Sequence, residues 1–73
     1  MESRRTIGES MRRCRVIRGI SARELAERAG VCEMTIYNSE GDLSYPNVLT
    51  LTACADVLGV SLDEYIGRVR RKA

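Results

Sequence analysis

A hydroxyl residue followed three places later by Glu occurs at Thr6-Ile7-Gly8-Glu9, Ser21-Ala22-Arg23-Glu24 and Ser61-Leu62-Asp63-Glu64. That spacing marks a helix start. The hydroxyl accepts from the third backbone N–H, and the Glu reaches back to the cap's own N–H. Ile20 with Leu25, and Val60 with Tyr65, place an apolar staple across two of these starts. A chain of 73 residues with starts this closely spaced has room for one small domain of short helices and little else.

The apolar spacing fills in the helices. The first runs from about Ile7 to Arg18, with Ile7, Met11, Cys14 and Ile17 as one buried stripe and Gly19 as its stop. The second runs from Ala22 to Ala29, with Leu25, Ala26 and Ala29 inward, a Glu24–Arg28 pair on the wet side, and Gly30 after it. The third runs from Glu33 to Glu40, with Ile36 buried. Residues 41–46 form a loop, and Asn47 caps a fourth helix from about Val48 to Leu58, with Leu51, Cys54, Ala55 and Leu58 inward. The fifth runs from Leu62 to about Val69, with Leu62, Tyr65, Ile66 and Val69 apolar. Alternation of period two never persists long enough for a strand, so the fold class is all-α, five helices with short connections. A basic arm at 1–5, a domain at 6–69 and a basic tail at 70–73 complete the expected organisation.

Composition narrows the function. Hydrophobic residues at 44% and charged residues at 30% fit a soluble globular domain. The longest uncharged stretch, Leu43 to Ala55, is too short and too polar to span a bilayer, and no apolar run follows the basic start. With no His, no Gly-rich phosphate loop and no plausible nucleophile–base pair, an enzyme is not expected; no catalytic residue, metal or cofactor is assigned. Cys14, Cys32 and Cys54 read as reduced thiols of a cytoplasmic protein, the first and third as small hydrophobes, Cys32 as a thiol at a helix N-terminus. The net charge of +2 is too small to prove a polyanion partner. Its distribution is uneven: residues 1–20 carry six Arg against two acids, and residues 21–40 carry two Arg against four.

The second helix, a three-residue turn and the third helix form the informative unit. Ala26 lets two helices approach, Gly30 permits a sharp turn, and Leu25, Ala29, Val31 and Ile36 lock a steep angle. Such geometry leaves the third helix projecting, at a width that fits the major groove of B-DNA. The run from Gly19 to Cys32 resembles the helix-turn-helix of the phage repressor, Cro and Xre-type regulators. The likeness continues through Thr35-Ile36, Glu40, Pro46, Leu51 and Ala55 and closes on Leu58-Gly59-Val60-Ser61-Leu62-Asp63-Glu64. It spans about Ile7 to Ile66.

The resemblance implies a compact lambda-repressor-like domain and a role for each matched position. Arg15 and Glu40 match a partly buried ion pair that ties the recognition helix to the scaffold. Ser21, Ala22 and Arg23, then Ser44, Tyr45 and Asn47, match phosphate contacts; for Ser21 and Asn47, helix capping coexists with that role. Glu33, Met34, Thr35, Tyr37 and Asn38 match base contacts: Asn38 to adenine, Thr35 and Met34 to a thymine methyl, Glu33 to cytosine N4. The alternative for each is an ordinary exposed helix residue.

Four departures stand out. Ala22 replaces a frequent Gln, Cys32 a capping Ser or Thr, Ser39 a large apolar residue, and Gly41-Asp42 an Asn-Gly. They predict a loosely anchored third helix, repacked by Leu43 or Tyr45, and a gain in stability on Ser39→Leu if a void lies beneath it. The expected function is a sequence-specific regulator of transcription, a repressor, binding double-stranded DNA as a homodimer through Val48, Leu49, Leu43 or the outer side of the fifth helix. The competing expectation is an antitoxin-like or adaptor module whose main partner is a protein, favoured by the acidic balance of residues 21–40.

Overall fold

The computed structural model describes residues 6–68. These hold five helices and no strand: α1 (Ile7–Arg18), α2 (Ala22–Ala29), α3 (Glu33–Glu40), α4 (Val48–Leu58) and α5 (Leu62–Ile66). The basic arm at 1–5 and the tail at 70–73 lie outside the described residues, as does Val69. No helix among the described residues is long and apolar enough to cross a membrane.

The caps explain where the helices begin. Thr6 Oγ1 accepts from the Glu9 N–H at 3.1 Å and the Glu9 carboxylate accepts from the Thr6 N–H at 3.0 Å, a complete reciprocal box. Ser21 and Ser61 accept from the Glu24 and Glu64 N–H groups, but there the return bond from Glu is not made. At α2 the reason is visible: Arg28 has taken the Glu24 carboxylate, at 2.6 Å. Asn47 caps α4 through Thr50 N–H at 2.9 Å. The end of α5 differs from the expected Val69. Gly67 adopts the left-handed conformation (φ 84°), its N–H bonds back to α5, and the helix stops at Ile66. The apolar pattern ran past a residue whose backbone ends the helix.

The core is Met11, Ala22, Leu25, Ala26, Ile36, Cys54, Ala55, Leu58 and Tyr65. Ile20 and Val60 pack against it beside the caps, in keeping with the two staples. α2 packs on α3 and α4, while α1 packs on α3 and α5. The expected stripe on α1 is corrected. Ile7 is exposed and Ile17 is 72% exposed; the buried face runs instead through Gly8, Met11 and the half-buried Cys14 and Arg15. A glycine and an arginine occupy places where apolar periodicity looks for bulk. Gly8 serves close approach: a Cβ there would lie 2.4 Å from the Glu40 carbonyl oxygen and 2.6 Å from that of Ser39. α1 therefore rests directly on the end of α3.

Candidate nucleic-acid interface

The turn between α2 and α3 follows from Gly30. Its φ of 75° reverses the chain, and the Val31 N–H reaches the Ala26 carbonyl at 2.9 Å while the Val31 side chain packs on the core. α3 then presents two unlike sides. Ile36 and Ser39 face inward. Glu33, Met34 (63% exposed) and Tyr37 face outward, with Asn38 and Thr35 half-buried beside them. The five residues expected to contact bases are thus gathered on or next to one open face. The Glu33 carboxylate, one turn before it, raises the Tyr37 phenol above its ordinary value.

The inward side is fixed by charge. Arg15 Nε donates to Glu40 Oε2 at 2.7 Å, Nη2 donates to Oε1 at 2.9 Å, and Nη1 donates to the Ile20 carbonyl at 3.0 Å. The two side chains are only 12% and 6% exposed. This bidentate fork joins α1, the α1–α2 connection and the last residue of α3 in one network. The bond to Glu40 raises the Arg15 pKa further.

The last turn of α3 is held again beyond Glu40. Gly41 keeps a negative φ, and Asp42 instead takes the left-handed conformation at φ 60°. Asp42 Oδ1 accepts from the Gly8 N–H at 2.8 Å and from the Tyr45 hydroxyl at 2.5 Å. The Thr6 hydroxyl, the Tyr45 hydroxyl and the Gly8 N–H hold the Asp42 carboxyl below its usual value. The same contact raises the Tyr45 phenol. The expectation of a loosely anchored α3 repacked by Leu43 or Tyr45 is therefore corrected. Leu43 is exposed, Tyr45 is about half exposed, and the C-terminal end of α3 is pinned by Arg15, Gly8 and Asp42. Ser39 is buried and turns its hydroxyl back to the Thr35 carbonyl at 2.7 Å.

The opposite end of α3 is bare. Cys32 takes the N-cap conformation but makes no side-chain capping bond, and it is exposed. Among the residues expected at phosphates, Ser21, Arg23, Ser44 and Asn47 are exposed. Ala22 is not: its side chain belongs to the core, which leaves only its main chain to meet a ligand. Arg23 lies 3.6 Å from Glu27 on the surface. Val48, Leu43 and Leu49, the last 81% exposed, form apolar surface next to this loop.

Sequence reasoning missed the parts played by two residues. Gly8 and Asp42 organise the end of α3, and the exchange of Asn-Gly for Gly41-Asp42 was the available signal for the second. Tyr65 is fully buried, and its hydroxyl has no hydrogen-bond partner among the described residues; burial, with the Cys54 thiol alongside, pushes its pKa up. Cys54 is buried and Cys14 half-buried, and burial raises both thiols. Among the described residues, no group of three acidic or Cys side chains could hold a metal ion.

The helix-turn-helix family profile matches residues 11–65, from α1 to Tyr65 in α5. A comparison with curated proteins finds no match.

Proposed function

The chain belongs to the helix-turn-helix family of Xre-like regulators, whose members bind DNA, and from that premise we propose that it is a sequence-specific repressor acting as a homodimer. α3 enters the major groove with Glu33, Met34, Thr35, Tyr37 and Asn38 at the base edges. Ser21, the main chain at Ala22, Arg23, Ser44 and Asn47 meet the phosphates on either side, with Tyr45 between the last two. One helix in one groove makes few contacts, so two copies on a near-palindromic operator supply the rest. The exposed Leu43, Val48 and Leu49 are the surface assigned to the second copy. The protein's proposed place of action is the cytoplasm.

The observation that carries this reading is the two-sidedness of α3. Its inner side is locked by a bidentate buried ion pair, while Met34 and Tyr37 stand outward and exposed. The test is selection of duplexes from a random library followed by titration across salt. A selected duplex should bind at micromolar or tighter, with log K falling linearly against log salt. No binding to any duplex at low salt overturns the reading. A second reading, a protein-binding adaptor, draws on the acid excess of residues 21–40. It predicts retention of the fold with no duplex selected.

A further inference from the structure

Among the described residues, Asp42 is the one non-glycine residue with a positive φ, at 60°. A side chain there is held against its backbone preference, so the surrounding contacts must fix it. Those contacts are specific. One carboxylate oxygen receives the Gly8 N–H at 2.8 Å, from the first turn of α1, and the Tyr45 hydroxyl at 2.5 Å, from the loop after α3. The Gly8 N–H belongs to the unpaired amides at a helix start, where negative charge is favoured. Gly8 itself lies against the carbonyls of Ser39 and Glu40. A tie at Gly8 therefore fixes the loop relative to the end of α3.

The Tyr45 hydroxyl has a single proton, and here it is donated to Asp42. A phosphate oxygen can only accept, so a tyrosine in this state has nothing to offer it. We propose that Asp42 is a positioning residue that clamps the α3–α4 loop to the start of α1 and withholds the Tyr45 hydroxyl from the DNA backbone, leaving Ser44 and Asn47 to make that loop's phosphate contacts. The inference rests on the DNA-binding reading and narrows it, replacing Tyr45 as a hydrogen-bond donor to phosphate.

The experiment uses the full chain with three variants: Tyr45→Phe, Asp42→Ala and Asp42→Asn. Each is titrated against one selected duplex and mapped by phosphate-ethylation interference. Tyr45→Phe should bind within about twofold of wild type with an unchanged interference pattern. Asp42→Ala should bind about tenfold more weakly and lose interference at the phosphates facing the loop, while keeping it at those facing α2. Asp42→Asn keeps an oxygen acceptor at the same place and should restore the wild-type pattern. Independently of DNA, amide exchange at Gly8 should accelerate at least tenfold in Asp42→Ala and not in Asp42→Asn. Loss of the loop-facing phosphates in Tyr45→Phe overturns the proposal, as does an unchanged Gly8 amide in Asp42→Ala. If wild type binds no duplex, the DNA reading fails by itself and the Gly8 amide still decides the clamp.

Discussion

The two ends of α3 are built on opposite principles. At the C-terminal end, Glu40 is gripped by the Arg15 fork, Ser39 is buried, and Asp42 is tied to Gly8. At the N-terminal end, Cys32 leaves the first amides uncapped and Met34 stands in the open. The recognition helix is thus a rod fixed at one end. The difference teaches that its departures from the family pattern do not weaken it evenly. Cys32 in place of Ser or Thr leaves the start of the helix without a side-chain cap, whereas Ser39 in place of a large residue is buried and turns its hydroxyl to the Thr35 carbonyl. The residues proposed to read bases begin at the uncapped end.

The largest effect comes from breaking the fixed end. Arg15→Ala leaves Glu40 buried without its partner and should cost about 3–5 kcal/mol in urea unfolding. A loss below about 1 kcal/mol, the range of exposed pairs, would show that the fork does not anchor α3. Overpacking the same end comes next. Ser39 is fully buried with its hydroxyl on the Thr35 carbonyl, so Ser39→Leu must force bulk into a closed site and should lower stability by about 1–3 kcal/mol. A rise in melting temperature would reveal a void there. At the free end, Cys32→Ser installs a hydroxyl cap and should raise stability by about 1 kcal/mol, with tighter DNA binding as the first turn is ordered beforehand. Equal stability with unchanged affinity would mean that the first turn is already fixed.

The smallest effect concerns pH. Asp42 is held at a lower pKa in the folded chain than in the unfolded chain. Its charge therefore contributes stability above the unfolded value of about 3.9, and that contribution is lost as pH falls toward the folded one. Relative to Asp42→Asn, the wild-type melting temperature should fall progressively below about pH 4. A difference between the two proteins that stays flat down to the acid limit would contradict the clamp's charge.

The boundaries of the first four helices were legible because three of their starts carry a capping side chain, Thr6, Ser21 and Asn47, and three of their ends carry a left-handed glycine. The α2–α3 turn and the Arg15–Glu40 pairing were legible for a related reason: Gly30, and an Arg and a Glu at matched positions, are visible as letters. The packing of α1 was not. Its buried face uses Gly8, which has no side chain to signal burial, and Arg15, which apolar counting assigns to solvent. The end of α5 was hidden by the apolar Val69, though Gly67 stood in the way. The role of Asp42 depends on a left-handed backbone and on a contact across more than thirty positions of chain, neither of which any local pattern records.

The central claim, that the outward face of α3 reads bases in the major groove, is tested most directly by the positional preference of Asn38→Ala against duplexes selected by the wild-type protein. Loss of about 1–3 kcal/mol of discrimination, confined to one base pair of each half-site, is the predicted result. The same affinity and the same preference at every position, in Asn38→Ala and equally in Met34→Ala, would contradict it.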